Sequence, residues 1–167
     1  MEKHFKLTSN TKKYFDVTLY QIQATKDSKW ANKGDLGGWV EKEENLSDDA
    51  WVAGNARVYG NACVYGNACV YGNACVFGDA CVYGDAMVSG NAQVSSNNDY
   101  VILQNFGSQN RTTTIFRTAN SFYVKCGCFG GSLNQFKNEV EKTHGNNKYA
   151  QEYKAIIELA KIKFNLS

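Results

Sequence analysis

The chain has 167 residues, 43% of them hydrophobic and 13% aromatic, with a formal charge of +2 and no proline. That length fits one compact unit or a small multi-part subunit. No apolar run reaches the ~18 residues of a membrane span, and MEKHFKLTSNTKK at the start has no apolar core for a secretion signal. A cytoplasmic protein is expected, with its six cysteines reduced.

The small net charge hides a division. Residues 1–43 carry +2, residues 44–97 carry −4 and residues 98–167 carry +4. An acidic middle between basic ends argues against a nucleic-acid rod, which would carry a basic stripe along its length. The repeat described below sets the bounds of three parts: 1–37, 38–97 and 98–167.

Residues 5–24 contain the alternation FDVTLYQI, which predicts one or two strands. They are expected to lead into the next part and cap its open end, because an uncapped coil exposes strand edges. Trp30, Trp39 and Trp51 fall near this end. They are expected to plug it, with a stacking platform for a ligand as the functional alternative.

From Ala56 to Val94 the chain reads ARVYGNACVYGNACVYGNACVFGDACVYGDAMVSGNAQV. Alanine recurs every six residues from Ala50 to Ala92, and valine follows two places later, from Val52 to Val94. Six is a poor match to a helix. Ala-x-Val supplies strand alternation for three residues, and Gly-Asn or Gly-Asp then supplies a corner. Short strands with regular corners predict a parallel β-helix. Three hexads would close a triangular turn of 18 residues, and fainter copies at Val40 and Leu46 extend the coil back to Gly38. The ten hexads would rise roughly 15 Å at the spacing of paired strands.

In this coil Val and Ala point inward. Cys63, Cys69, Cys75 and Cys81 form one outward set; Tyr59, Tyr65, Tyr71, Phe77 and Tyr83 form another. Turns of 18 residues put Cys63 under Cys81, Tyr65 under Tyr83 and Tyr59 under Phe77. A face this apolar usually meets a partner. A homotrimer is expected, with Tyr59, Tyr65, Tyr71, Phe77, Tyr83, Cys63 and Cys69 at the interface. The alternative is a monomer whose own flanking segments cover the rings.

After Asn97 the repeat stops. DYVILQNF (99–106), RTTTIFRT (111–118) and NSFYVKC (120–126) predict three antiparallel strands. Ser132 and Gln135 form a capping box for a helix with Leu133, Phe136 and Val140 on one face. A second helix is predicted over about 148–163, with Tyr149, Tyr153, Ile156, Ile157 and Ala160 along one side. The fold class is therefore mainly β: a β cap over 1–37, a short hexapeptide-repeat β-helix over 38–97, and a β-β-β-α-α unit over 98–167.

The Ala-x-Val-x-Gly-Asn hexads resemble the left-handed β-helix of the hexapeptide-repeat superfamily, whose members are commonly trimers. Left-handedness follows from that resemblance alone, because crossovers are ordinarily right-handed. GDLGGWVEKEENLS (34–47) and GCFGGSLNQFKNEVEKTHG (127–145), with EYKAIIELAK, are similar to the flanks of hexapeptide-repeat proteins of bacteriophages and prophages. The resemblance implies a phage-type accessory protein in the cytoplasm of an infected bacterium. It does not name a biochemical role.

The superfamily includes acyltransferases that present a histidine near the coil as base. Here the histidines are His4, in the amino-terminal arm, and His144, at the end of a helix; neither lies in a hexad. Zinc needs four ligands, and Cys126-Gly-Cys128 is one pair without a second. No metal or cofactor is expected. Binding fits better. The chain has fifteen lysines but three arginines, Arg57, Arg111 and Arg117, and arginine meets phosphate with a planar fork. If Phe116 and Phe122 turn to the core, the other side of the sheet offers Arg111, Arg117, Tyr123 and Lys125. That set would grip a phosphate and stack a base, with Arg57 as a further candidate; the bland reading is a solvated sheet face. The expectation is a non-enzymatic anti-defence protein that sequesters a nucleotide-like host immune signal. The alternatives are an inhibitor that binds a host defence protein directly, and a hexapeptide acyltransferase.

Overall fold

The computed structural model describes residues 2–167. It divides into two compact units, up to Asn97 and from Asn98 onward.

The first unit is built on a β-solenoid of roughly three turns. Its strands are β3 (Leu36–Val40), β4 (Trp51–Val52), β5 (Arg57–Val58), β6 (Cys63–Val64), β7 (Cys69–Val70), β8 (Cys75–Val76), β9 (Cys81–Val82), β10 (Met87–Val88) and β11 (Gln93–Val94). All pairings between turns are parallel and in register. Val40, Val58, Val76 and Val94 form one column, Val52, Val70 and Val88 another, and Leu46, Val64 and Val82 the third. Each column therefore steps by 18 residues, as the hexads require. The inward Ala and Val side chains from Ala50 to Val94 are 0–1% exposed, so the bore is dry and filled. Every corner glycine from Gly54 to Gly90 takes φ between +61° and +71°, a region other residues enter at a cost. The backbone amides climb the turns, as in Trp51 N–H to Ala68 O (2.9 Å) and Ala53 N–H to Val70 O (2.8 Å).

The column ends are capped by side chains. In the first turn Glu41 and Asp48 accept from the N–H groups of Gly60 (2.7 Å) and Gly66 (2.9 Å). Near the last turn, Asn97 accepts from Cys81 N–H at 2.8 Å. At the corners, amides stand under their counterparts one turn on: Asn55 donates to Asn73 (3.4 Å), Asn61 to Asp79 (3.1 Å) and Asn67 to Asp85 (3.3 Å).

β1 (Phe5–Tyr14) and β2 (Val17–Ala24) form an antiparallel hairpin, and β2 pairs with β3. The hairpin thus lengthens one solenoid face, in the order β1-β2-β3-β5-β8-β11. A register shift between Leu7 and Thr11 bends β1. Its second half crosses the outside of that face, with Lys12 over the Trp39 ring (4.1 Å) and Tyr14 edge-on to Tyr59 (5.6 Å). The tryptophans do not plug the bore, contrary to expectation. They stand in the outward position of their strands or on the flank, and other flanking groups cover them. The buried His4 ring lies 6.3 Å from Trp51, and Nε2–H of His4 donates to Ala50 O at 2.6 Å. Trp30 donates from Nε1 to Asn67 O at 3.1 Å. At the first turn it is Ile22 that lies against Gly37, where a β-carbon would also meet Trp51 and the Val52 carbonyl.

The second unit is an antiparallel meander with two helices. Its strands run β12 (Tyr100–Phe106), β13 (Arg111–Arg117), β14 (Phe122–Cys126) and β15 (Phe129–Ser132), in that spatial order. The fourth strand was not expected from the glycine-rich FGGS. Helix α1 (Leu133–His144) starts at the Ser132–Gln135 capping box, and α2 (Lys148–Phe164) starts at Asn147. One core unites Ile115, Phe122 and Val124 of the sheet with Phe136 and Val140 of α1 and Tyr153, Ile156, Ile157, Ala160 and Phe164 of α2.

Candidate functional site

The solenoid faces differ in what covers them. On the face of β5 and β8, Arg57 lies over the Tyr14 ring (4.4 Å) and donates to Cys75 Sγ (3.1 Å) and Asn73 O (3.4 Å). Arg57 is therefore engaged within the first unit, and Tyr59 and Phe77 stack beneath the same hairpin (5.4 Å, 8°). On the face of β4 and β7, Cys69 is buried; burial pushes its thiol up to about 12, against the pull of nearby Lys29. Tyr71 shares that side and is half-buried. The face of β6 and β9 carries Cys63 and Cys81 (Sγ to Sγ 2.9 Å) and the stacked rings of Tyr65 and Tyr83 (5.3 Å, 15°). Tyr83 is 43% exposed. Of the seven residues expected between copies, Tyr59 and Cys69 are thus occupied by the chain's own flanks, because those segments fold back on the coil. Cys63, Tyr65 and Tyr83 stand together on the remaining face.

The register of the second unit separates the four residues expected to grip a ligand. Arg117 pairs with Phe122, and Phe116 with Tyr123. Cross-strand partners share a face. Arg111 and Arg117 therefore lie on the helix side of the sheet, at its two ends, while Tyr123 and Lys125 lie on the other side with Phe116. Arg117 is ion-paired to Asp99 (2.7 Å) and covers the Phe122 ring (4.9 Å). The Tyr123 ring lies 5.5 Å from Phe116.

Arg111 instead opens onto a cleft of about 400 Å³ between the sheet end and the helices. The β12–β13 loop brings Ser108 and Gln109 to it, the β14–β15 turn brings Cys128 and Phe129, and α1 brings Phe136, Glu139, Thr143 and His144. Tyr153 of α2 forms its back wall. The rings are in series: Phe129 to Phe136 (5.3 Å), Phe136 edge-on to Tyr153 (5.4 Å), and His144 stacked on Tyr153 (5.9 Å, 28°). Two glycines make room. Gly127, at φ +58°, has no β-carbon to collide with the Arg111 guanidinium; Gly107, at φ +75°, leaves space for the Tyr153 hydroxyl.

Behind the wall runs a buried polar chain. Thr113 Oγ1–H donates to Cys126 Sγ (3.2 Å), Cys126 donates to the Tyr153 hydroxyl (3.9 Å), and Tyr153 O–H donates to Phe106 O (3.5 Å). Burial, then the neighbouring Cys126 thiol, push the Tyr153 phenol up to about 12, with Arg111 pulling the other way. Tyr153 is therefore a neutral phenol at physiological pH. Glu152 is held by Gly107 N–H (2.8 Å) and lies 3.8 Å from Lys148. Among the described residues no carboxylate pairs with Arg111. This exposed guanidinium beside a row of rings can meet an anionic group while a flat ring of the same ligand stacks. Arg111 was legible as a candidate. Tyr153, Phe136 and His144 were visible only as helix-face or terminal residues.

Among the described residues no three His, Cys, Asp or Glu side chains gather to hold a metal ion, and no helix is long and apolar enough to cross a membrane. The chain is a β-helix protein with a helical carboxyl-terminal unit. Its coil is similar to the YdcK β-solenoid repeat, whose family model matches residues 56–72 and 80–96. No curated protein matches the chain.

Proposed function

We propose that this is a non-catalytic binding protein that captures a small nucleotide-like anion in the cleft of its second unit. The observation that carries this reading is Arg111, exposed and without a carboxylate partner among the described residues, at the edge of a cleft walled by Phe129, Phe136, Tyr153 and His144. The volume of about 400 Å³ lies within the range of small-ligand sites. The ligand proposed is a host immune signal and the purpose sequestration, a role that would suit the phage-type accessory protein implied by the resemblance of the hexads and flanks. Self-association belongs to the same proposal. Three copies meet through the β6–β9 face, where the exposed Tyr83 ring stacks on Tyr65 and the half-buried Cys63 lies beside them. Assembly gives each complex three clefts.

Titration calorimetry with linear and cyclic nucleotides tests the capture. Micromolar or tighter binding is expected, weakened about tenfold or more in Arg111→Gln, since a charged hydrogen bond is worth about 1.5–3 kcal/mol. Silence across the panel, with no small molecule in the mass spectrum of the purified protein, overturns it. Sedimentation of the wild type against Tyr65→Asp tests the assembly, with a trimer falling to single chains as the expected result.

A further inference from the structure

We infer that the outer face of α2 is a seam that packs against α2 of a second copy of this chain, with the two helices parallel. Helix α2 is apolar on two sides. Ala150, Tyr153, Ile156, Ile157, Ala160 and Phe164 face the core. On the opposite side Ala155, Leu159 and Ile162 face water, with Leu159 46% and Ile162 78% exposed. A lone exposed leucine needs no explanation. Here the spacing of four and then three is that of the core positions of a coiled coil. At about 100° per residue the three side chains share one narrow stripe.

Charge decides which partner the stripe suits. Glu158 and Lys163 flank it, each about 70° from its midline on opposite sides. In a parallel pair of such helices the flanking position on one chain meets the position five residues on in its neighbour. Glu158 of one copy then meets Lys163 of the next, and symmetry repeats the pairing. An antiparallel pair centred on Leu159 would set Glu158 beside Glu158 and give Lys163 no carboxylate to meet. The stripe is therefore complementary to itself in the parallel orientation, which a rotational axis running along the helices imposes. In one copy Glu158 is held by Lys161 at 2.9 Å, with Glu158 66% exposed. Such an exposed pair is weak and readily exchanged.

The stripe is too short to hold two chains alone, so it rests on the self-association proposed above, which raises the local concentration of one helix near another. The test is sedimentation equilibrium of the full chain with Glu158→Lys, Lys163→Glu, the double variant and Tyr65→Asp, with circular dichroism to confirm folding. Each single charge reversal sets like charges together and is expected to raise the assembly dissociation constant about tenfold. The double variant restores the pairing and is expected to return to within about threefold of the wild type. Single reversals that assemble like the wild type, or a double variant weaker than both, overturn the seam. If only the reversals are silent while Tyr65→Asp dissociates the protein, the solenoid contact stands and the seam falls. The opposite pattern keeps the seam and moves the contact that supports it away from Tyr65. A wild type of one chain at all concentrations removes both.

Discussion

The solenoid and the carboxyl-terminal unit fill their interiors by opposite means. In the coil two small residue types, Ala and Val, repeat, and each side chain meets a near-copy of itself one turn away. In the second unit large, unlike side chains interlock, as where Phe122 stacks on Phe164 at 4.2 Å. The bore of the coil therefore has near-identical rungs, and the first unit's cleft of about 480 Å³ lies where the amino-terminal arm at Lys3 and His4 meets the first turn at Leu46 and Asp48. The second unit has an irregular core that leaves a cleft where the sheet end and helices fail to close. Repetition produces surface; irregularity produces a pocket.

The largest test of this contrast is Val70→Asp. It places a carboxylate in the dry bore between Val52 and Val88. A loss of about 4 kcal/mol or outright unfolding is expected, read by denaturant melts. The counterpart in the other unit is Ile157→Ala, 3% exposed in the core. It should cost about 3 kcal/mol. Hydrogen exchange should quicken in α1 and α2 while the solenoid ladder keeps its protection; uniform loss of protection would show that the two cores are one. Smaller is Gly72→Ala at a corner, where φ is +71° and a β-carbon would lie 3.1 Å from Gly90 N. A loss of about 1–2 kcal/mol is expected from the left-handed backbone, visible as a lower melting temperature.

The gentlest test is chemical. Burial pushes the Cys63 thiol up to about 11, with Cys81 adding to the rise. At pH 8 its thiolate fraction is then about one part in a thousand. Alkylation should mark the exposed Cys128 first and reach Cys63 and Cys69 slowly, with mass spectrometry as the readout. The folded pKa values of Cys63 and Cys69 lie above the ordinary thiol value. Their contribution to stability is therefore complete below about 9 and is lost as pH rises through 11 to 12. Equal labelling of the three thiols at pH 8 would mean that the coil is looser than its ladder.

The solenoid was readable because a six-residue period admits few solutions. Once three hexads close a turn, every rung follows, down to Tyr65 beneath Tyr83. The flanks were harder to read, since no period fixes them. Large apolar residues near an open end suggest a plug, but the outward register of Trp51 and the place of Trp30 on the flank, outside any strand, set both to the side. Strand β15 was missed because FGGS has little strand propensity. Its glycines lie against Tyr123 and the Gln135 side chain, where a β-carbon would crowd. The expected ligand set fails at one step: Phe116 and Phe122 lie on opposite faces of the sheet. The tight link at Ala119-Asn120 already implied Thr118 opposite Ser121, as the bond from Thr118 N–H to Ser121 O (2.8 Å) shows. That pairing puts Arg117 beside Phe122 and leaves Phe116 on the far side. Arg111 could be chosen from its chemistry. Its neighbours His144 and Tyr153 come from distant helices, and no local pattern announces that kind of meeting.

The corner ladders carry a consequence for how the coil ages and varies. Asn61 under Asp79 and Asn67 under Asp85 each combine one neutral amide with one carboxylate. Deamidation of Asn61 or Asn67 would stack two negative charges a single strand spacing apart and remove the hydrogen that joins them. Long-stored protein should therefore lose order first along these edges. The same arithmetic limits drift, because each such column tolerates aspartate at one level while the level beside it keeps its amide.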